Sequence, residues 1–251
     1  MTYTYEKKFV LFFDILGFSE IIKNKDCNKI AEILENIQNI SFESNYTDIL
    51  FKADENGMFD IYFEDGDIGH GKIIGNNAKY SFFSDSIAIS IDLNDIESTQ
   101  QILRYCANLQ YCLLLKGIII RGGLCCGDIY HQNNMIFGPA LNEAYEIEHS
   151  KIEDSFIGVT EDFFESLDAK LLKEDYFQAQ DNGKIGIYRL NFLSFFSPSE
   201  HHNDPKLSEI KKILAFLKEN IKNDKKSRTA ELISYIECFS KENLSEAKED
   251  L

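Results

Sequence analysis

The chain begins with a strand pattern that is followed by a helix pattern. Residues 9–14 read Phe-Val-Leu-Phe-Phe-Asp, which is too uniformly apolar for a strand with one face in solvent. They predict a central strand that is covered on both faces. Gly17 permits a tight turn, and apolar residues recur at helical spacing from residue 18 to about residue 40. A strand, a turn and one long helix are therefore expected in the first 40 residues.

The pattern changes between residues 41 and 79. Turn clusters rich in Asp, Asn and Gly separate short alternating segments there, which predicts an inserted hairpin or an irregular excursion. Residues 80–91 resume as one core strand, and residues 95–115 form a helix with an acidic first turn. Residues 117–126 are expected to form another strand, which turns at Gly127-Asp128 into a short return strand at residues 129–131.

The second half of the chain predicts shorter elements and then two amphipathic helices. Phe-Gly-Pro at residues 137–139 introduces a helix that continues to about residue 149, and residues 156–159 read as a strand. Thr160 caps a short helix that reaches residue 167, and a further strand is expected at residues 186–192. Helices at about 207–221 and 227–240 precede a charged tail at residues 241–251.

Size and charge exclude several kinds of protein. The chain has 251 residues, of which 44% are hydrophobic, and can bury a full core. Its net charge of −16 argues against binding to a nucleic-acid backbone, because that needs a basic face. The longest apolar stretch, at residues 113–120, contains Lys116 and Gly117 and is too short to span a bilayer. No secretory signal is apparent, so we expect a cytoplasmic protein without a membrane partner.

Six cysteines are scattered along the chain without a CxxC pair or a histidine at zinc-ligand spacing. They are typical of the free thiols of a cytoplasmic protein. Cys125 and Cys126 are adjacent in a predicted strand and should point to opposite faces.

Two aspartates carry the strongest chemical signal. Asp14 ends the first apolar run just before Gly17, and Asp85 closes the segment Ser-Phe-Phe-Ser-Asp-Ser at residues 81–86. A carboxylate at the end of a central strand, next to a helix start, lies beside free backbone N–H groups, so one spot can bind both metal and phosphate. If the two strands are neighbours, both carboxylates can hold the same ions. Alternatively, each aspartate is a strand-end cap that meets solvent.

Four sequence blocks resemble a known superfamily. FFDILGF, FSDS, IRGGLCCGDI and FGPALNEA follow one another as they do in the class III nucleotidyl cyclases, the adenylyl and guanylyl cyclases. The chain is most similar to the bacterial pyrimidine cyclases of the Pycsar anti-phage system, over residues 7–192. The resemblance implies an α+β fold, a ferredoxin-like βαββαβ domain with an insertion at about 41–79. The catalytic domain would cover residues 1–200, and residues 201–251 would form a C-terminal helical extension.

The resemblance also implies roles for individual residues. Asp14 and Asp85 match the two metal-binding aspartates, for two manganese or magnesium ions, and Ile15 supplies a backbone carbonyl ligand. Arg121 matches the arginine that contacts the triphosphate, and Asn142 matches the asparagine that orients the ribose. The loop that cradles the phosphates corresponds to the backbone amides of Leu16, Gly17 and Phe18. From the residues alone, the less favoured alternative for Arg121 is a strand arginine paired with a surface acid, whereas Asn142 taken alone is better explained by a cap or hydrogen bond within its own helix.

Such a site is shared between two subunits. In this superfamily it forms between chains packed head to tail, with the metal half from one and the asparagine half from the other. The resemblance therefore implies a homodimer with two sites at the interface.

One catalytic position departs from the pattern of adenylyl and guanylyl cyclases. These enzymes usually carry an arginine one helical turn after the asparagine, whereas this chain has Glu146 there. Arg189 or Lys184 would have to replace that cation, or the site works differently.

The positions that select a purine in the superfamily also differ. They fall at about Ser81 and Met135, which are neither the Lys/Asp pair of adenylyl cyclases nor the Glu/Cys pair of guanylyl cyclases. A pyrimidine base is therefore open as substrate. Tyr80 and Phe83 would either narrow the base pocket or serve as plain core aromatics.

The resemblance thus implies a metal-dependent cyclase that converts UTP, in preference to CTP, into its 3′,5′-cyclic monophosphate and pyrophosphate. The product would act as a second messenger that is read by a separate effector in anti-phage defence. One alternative is an adenylyl cyclase with a variant base pocket. Another is a degenerate cyclase domain that binds nucleotide as a regulator, for which Glu146 is the best argument. A phosphoryl-transfer enzyme of another kind on a similar sheet is a third.

Overall fold

A computed structural model of the chain describes residues 3–40, 58–62, 68–72, 78–92, 96–132, 134–152, 154–167, 177–179, 186–193, 207–220 and 228–244. The strands in these ranges are β1 Glu6–Ile15, β2 Met58–Tyr62, β3 Ile68–Lys72, β4 Lys79–Phe83, β5 Ser86–Asp92, β6 Ile120–Gln132, β7 Met135–Phe137, β8 Ile157–Thr160, β9 Phe177–Ala179 and β10 Ile187–Leu190. The helices are α1 Phe18–Asn24, α2 Cys27–Ile40, α3 Ile96–Leu115, α4 Pro139–Glu146, α5 Glu161–Ser166, α6 Leu207–Asn220 and α7 Arg228–Leu244. A π-helical turn, Ile147–Lys151, continues α4.

The main sheet has the strand order β4-β5-β1-β6-β8-β10-β9, and β7 pairs with β6 at its side. Within the run β4-β5-β1-β6, each pair of adjacent strands is antiparallel. This order, with helices between β1 and β4 and between β5 and β6, is that of a ferredoxin-like βαββαβ unit. The predicted α+β fold class is confirmed. Because β8 is parallel to β6, the complete sheet is mixed.

Strand β1 is buried on both faces, as its uniformly apolar sequence predicted. Phe9, Leu11 and Phe13 point into a large core that is shared with α2, α3, α6 and α7. Val10 and Phe12 point to the other face, where a smaller core includes Ala140 and other residues of α4. The face with the smaller core, called the α4 face below, also carries Asp14, since side chains alternate along a strand.

The segment at residues 80–91 is two strands rather than the one that was predicted. Strands β4 and β5 form a hairpin whose two-residue turn is Ser84-Asp85. Ser84 has a φ of 67°, a value that two-residue hairpin turns require and that a non-glycine residue adopts at a cost. Because the turn contains neither Gly nor Asn, the apolar pattern on both sides reads as one continuous strand.

Strand β6 continues through Gly127-Asp128 to Gln132, so the turn predicted there is wrong. The hairpin turn between β6 and β7 instead includes Asn134, whose φ is 63°. Gly127 has a different purpose, because a Cβ placed on it would lie 3.2 Å from the Cβ of Ala140. The glycine therefore permits the close approach of α4 to the sheet.

The helix that was predicted from residue 18 to about 40 is interrupted at Lys25, whose backbone is extended. The Asp26 side chain accepts a hydrogen bond from the Lys29 N–H at 3.1 Å and so caps α2.

Most of the remaining predictions agree with the described residues. The insertion contains a hairpin, β2 with β3, that is separate from the main sheet. Thr160 caps α5 by accepting from the Phe163 N–H, as expected. The two C-terminal helices are present as α6 and α7, while most of the charged tail and Lys184 lie outside the described residues. No helix in the described ranges has the length and apolar character needed to cross a bilayer.

Candidate active site

A row of polar side chains crosses the sheet near the carboxyl end of β1. Asp14 pairs with Ser86 of β5 on one side and with Arg121 of β6 on the other. Ser86 in turn pairs with Phe83 of β4. Residues that are directly opposite on adjacent strands point to the same face. The four side chains therefore share the α4 face of the sheet.

Asp85 lies beside this row because it occupies the turn between β4 and β5. Its carbonyl accepts a hydrogen bond from the Ile15 N–H at 2.9 Å. Its neighbour Ser86 has Oγ 3.5 Å from Oδ1 of Asp14. The structure thus brings the two predicted metal-binding aspartates and Ile15 together, although Asp85 comes from a turn and not from a strand.

The Asp14 carboxylate lies among groups with a net negative charge. Burial, followed by repulsion from Asp85 and Glu148, raises its pKa to about 6, against the opposing effects of Arg121 and the Ser86 hydroxyl. Three carboxylates thus share one guanidinium. A divalent cation would supply the missing positive charge, and an all-oxygen donor set suits Mg²⁺ or Mn²⁺.

Two carboxylates are few ligands for a metal ion that is held by protein side chains alone. Within the ranges that the structure describes, no group of three or more His, Cys, Asp or Glu residues could hold a metal ion. This fits Mg²⁺, which is usually bound through one or two carboxylates together with water and substrate phosphates. Asp14, Asp85 and the carbonyl of Ile15 are therefore sufficient donors only with a phosphate ligand present.

Arg121 is buried and paired with an acid that sequence reasoning missed. Its Nε and Nη2 donate to Oε1 of Glu148 at 2.8 Å and 2.5 Å. Glu148 is equally buried and lies in the π-helical turn after α4. Isolated π turns occur frequently at functional sites. No sequence motif distinguishes Glu148 from the other acids of that segment; only the fold brings it to Arg121.

One amide of the predicted phosphate loop is hydrogen-bonded within the fold. The Leu16 N–H donates to the Ile119 carbonyl at 2.9 Å, so this amide is not available to a phosphate in the present conformation. Gly17 has a φ of 75° and precedes α1. The amides of Gly17 and Phe18 are the part of the predicted loop that this strand contact leaves open.

Asn142 and Glu146 both lie exposed on α4. The Asn142 N–H donates to the Gly138 carbonyl at 3.4 Å, which is an ordinary helix contact. Among the described residues, no contact joins Asn142 to Asp14 or Asp85 of the same chain.

Arg189, one suggested replacement for the cation missing at Glu146, is engaged elsewhere. On β10 its guanidinium donates to Gln178 and lies 4.7 Å from the Phe156 ring centroid. One strand, β8, lies between β10 and β6.

One of the two predicted base-reading positions, Ser81, is hydrogen-bonded to a histidine. Oγ of Ser81 lies 2.9 Å from Nε2 of His131, and Nδ1 of His131 lies 2.8 Å from Oγ of Ser90. His131 is on β6 opposite Ile136, and the adjacent Met135 is 40% exposed. Sequence reasoning missed His131, which it assigned to a short return strand.

The two aromatic residues of β4 that were candidates for the base pocket, Tyr80 and Phe83, differ in position. Tyr80 packs against the large core, on the face opposite to the site. It is a core aromatic and does not narrow a pocket beside Asp14. Phe83 is 48% exposed on the α4 face and stays a candidate for that purpose.

No protein-family model matches the sequence, and no curated protein matches it. In structure the chain is similar to the catalytic core of a rhodopsin-guanylyl cyclase with converted specificity in complex with ATPαS, at a TM-score of 0.46 and 13% identity over 74% of this chain and 95% of that chain. It is also similar to a bacterial light-regulated adenylyl cyclase, at a TM-score of 0.45 and 12% identity over 86% of this chain and 58% of that chain. An adenylate/guanylate cyclase/hydrolase from Silicibacter pomeroyi gives 0.42 and 15% over 75% of this chain and 98% of that chain. Because every TM-score is below 0.5, none of these likenesses carries weight in assigning an activity.

Proposed function

We propose that this chain is a metal-dependent nucleotide cyclase that converts a pyrimidine triphosphate, UTP in preference to CTP, into its 3′,5′-cyclic monophosphate and pyrophosphate. The four sequence blocks around Asp14, Asp85, Arg121 and Asn142 support the reaction class. The similarity of these blocks to the Pycsar cyclases supports a second-messenger role, in which a separate effector responds to the cyclic nucleotide during phage infection. That role would place the protein in the cytoplasm.

The observation that carries the proposal is the surplus of negative charge at Asp14. A carboxylate that is half-buried beside two other acids has its pKa raised to about 6, which costs folding free energy at neutral pH. Residues that serve only to stabilise a fold do not need this arrangement. A cation site explains why both Asp14 and Asp85 lie at the end of β1.

Asp14, Asp85 and the carbonyl of Ile15 would hold the metal ions, two in the proposed site. When bound, the ions would neutralise the triphosphate and activate the attacking oxygen. The Ser86 hydroxyl, 3.5 Å from Asp14 Oδ1, would keep that carboxylate oriented. The turn at Ser84-Asp85 would hold the second carboxylate in place through the hydrogen bond from Ile15.

The proposed reaction forms one bond and breaks one bond. The ribose 3′-oxygen attacks the α-phosphorus, the bond from that phosphorus to the bridging oxygen of the β-phosphate breaks, and pyrophosphate leaves. The proton of the 3′-hydroxyl passes to solvent. Asn142 would orient the ribose so that the attacking and leaving oxygens are in line.

Arg121 would contact the phosphates without leaving Glu148. Two of its five N–H donors bond to Glu148, and the Nη1 edge is left for another acceptor among the described contacts. In this arrangement Glu148 is a positioning residue, because it fixes the plane of the guanidinium next to Asp14.

The proposed enzyme is a homodimer. Asn142 is exposed on α4 and has no contact with the aspartate pair of its own chain in the described ranges. A second subunit packed head to tail would bring its Asn142 to the metal half of the first.

A nucleotide-binding regulator without catalysis is the second candidate. It is favoured by Glu146, an acid where adenylyl and guanylyl cyclases use a cation, and by the full engagement of Arg189 elsewhere. Such a regulator would bind nucleotide without turning it over.

Product analysis tests the proposal. Purified protein is incubated with ATP, GTP, CTP or UTP and Mn²⁺, and the products are resolved by chromatography. The account expects cyclic UMP and pyrophosphate in equal amounts, and no product from Asp14→Asn. Cyclic AMP as the main product would support a variant adenylyl cyclase. Nucleotide binding with no cyclic product would support the regulator.

A further inference from the structure

A buried hydrogen-bonded chain leads from the middle of the sheet to the proposed base site. It consists of Ser90, His131 and Ser81, with contacts of 2.8 Å and 2.9 Å on the two ring nitrogens of the histidine. Ser90 and His131 are buried, whereas Ser81 is partly exposed. The chain therefore has one end in the protein interior and one end at the surface.

The histidine in this chain is neutral at physiological pH. Burial, together with repulsion from the neighbouring Lys79 and Lys8, lowers its pKa to about 4. A neutral imidazole has one nitrogen that donates and one that accepts. One serine must therefore donate to the ring, and the other must accept a hydrogen bond from it.

The buried Ser90 determines which serine donates to the ring. Ser90 has no polar contact except His131 in the part of the chain that the structure describes. If Nδ1 of His131 donated to Ser90, the Ser90 O–H would be buried without an acceptor, which is costly. The satisfied arrangement has Ser90 donating to Nδ1 and Nε2–H donating to Oγ of Ser81. The Ser81 O–H is then left to donate outward.

Ser81 lies on the face of the sheet where the substrate is proposed to bind. Ser81 pairs with Ala88, which pairs with Phe12, so it lies on the α4 face together with Asp14. It is two strands and two residues from Asp14, or about 12 Å at roughly 4.8 Å per strand and 3.4 Å per residue. A ligand with phosphates at Asp14 can therefore extend toward Ser81.

We propose that His131 determines base specificity by fixing Ser81 as a hydrogen-bond donor to the base. This inference rests on the proposed function and deepens it. The free Ser81 O–H pairs with a carbonyl oxygen, whereas an exocyclic amino group in the same place offers it no acceptor and leaves it unpaired. At the 4-position of a pyrimidine, uracil has a carbonyl and cytosine has an amino group, so the relay favours UTP over CTP. His131 acts through Ser81 and is a positioning residue.

The test compares UTP with CTP in four variants. Ser81→Ala removes the donor and Ser81→Thr keeps it. His131→Leu removes the relay, while His131→Gln keeps both a donor and an acceptor at the ring position. Ser234→Ala changes an exposed serine on α7 and serves as the control. Thermal melting checks that each variant is folded.

Two readouts are measured for each protein. One is the ratio of kcat/KM for UTP to that for CTP. The other is the ratio of the affinities for 3′-deoxy-UTP and 3′-deoxy-CTP with Mn²⁺, since these analogues lack the attacking hydroxyl. We expect Ser81→Ala and His131→Leu to reduce both ratios roughly tenfold, about 1.4 kcal/mol. Ser81→Thr, His131→Gln and Ser234→Ala should keep the parental preference.

The outcomes separate this inference from the proposed function. Cyclic product with a UTP:CTP ratio that is unchanged in Ser81→Ala would overturn the role of the relay while leaving the cyclase intact. Selective binding of 3′-deoxy-UTP that is lost in Ser81→Ala, without any cyclic product from UTP, would support the relay and overturn the cyclase. A parent protein that prefers CTP or a purine in both readouts would overturn the relay.

Discussion

At the scale of single residues, the site contains charged side chains that are buried or half-buried. Asp14 is half-buried next to Asp85 and Glu148, with Arg121 as the positive neighbour among the described residues, and burial together with the two acids raises its pKa to about 6. Arg121 and Glu148 are both buried, so each depends on the other for its charge to be tolerated. Removing one member of this group therefore affects the others.

The first prediction concerns the ion pair between Arg121 and Glu148. Glu148→Ala leaves the guanidinium buried and unpaired, so we expect the free energy of unfolding to fall by about 3–5 kcal/mol. Urea denaturation measures this change. The double variant Arg121→Met with Glu148→Leu, which removes both charges, should recover most of the loss. A loss below about 1 kcal/mol in Glu148→Ala would show that the pair is open to solvent.

The second prediction concerns His131 and pH. Its pKa is near 4 in the folded protein and near 6.5 in the unfolded chain, so only the unfolded chain binds the proton between these values. Acidification from pH 6.5 to 4 should therefore destabilise the parent relative to His131→Gln, by at most about 1.4 kcal/mol per pH unit. The exposed His149, changed to Gln, provides the control. A parent and a His131→Gln variant with parallel pH profiles would contradict a neutral buried histidine.

At the scale of elements, hydrophobic patterns predicted which segments are strands and helices but not how they turn. The uniformly apolar β1 and the helical spacing of α3 were read correctly because burial alone determines them. The hairpin at Ser84-Asp85 was missed because its turn contains no glycine. Gly127-Asp128 was predicted to be a turn. A glycine that permits the close packing of α4 cannot be told from a turn glycine in the sequence alone.

The same limit applies to the site. Asp14, Asp85 and Ile15 were predicted to lie together and do so, since short motifs carry them. Glu148 and His131 carry no motif, and they reach Arg121 and Ser81 only through a π turn and through the full length of β6. Contacts between residues distant in sequence depend on strand order and register, which the pattern of a single chain does not contain.

The third prediction concerns the turn between β4 and β5. Ser84 has a left-handed backbone with a φ of 67°, which costs a residue with a side chain roughly 1 kcal/mol or more. We expect Ser84→Gly to raise the free energy of unfolding slightly, and Ser84→Val to lower it by about 1–2 kcal/mol because a β-branched residue tolerates this conformation worst. Ser84→Ala should fall between them. Thermal melting in a single buffer ranks the three variants, and an order with Val above Gly would contradict the turn geometry.

At the scale of the whole molecule, the proposed metal ligands and the proposed ribose ligand do not touch within the described residues of one chain. The aspartate pair lies at the end of β1, while Asn142 is exposed on α4 without a contact to it in the described ranges. One chain therefore carries both parts of the proposed catalytic machinery but does not bring them together. A head-to-tail pair of chains would complete two sites, each with its metal half from one subunit and its asparagine half from the other.

In the proposed homodimer, two inactive variants would be complementary. Asp14→Asn would disable the proposed metal half, and Asn142→Ala would disable the proposed ribose half. In a heterodimer of the two variants, one site combines both damaged halves and the other combines both intact halves. Random exchange of subunits makes about half of the dimers mixed, so an equal mixture should reach about a quarter of the parental rate.

The most direct measurement is therefore the rate of cyclic UMP formation by Asp14→Asn, by Asn142→Ala and by their equal mixture after subunit exchange, with UTP and Mn²⁺. The account predicts almost no product from either variant alone and about a quarter of the parental rate from the mixture. A mixture as inactive as its components, from a parent that is active, would contradict a site shared between subunits. A parent that forms no cyclic nucleotide from any of the four triphosphates would contradict the cyclase itself.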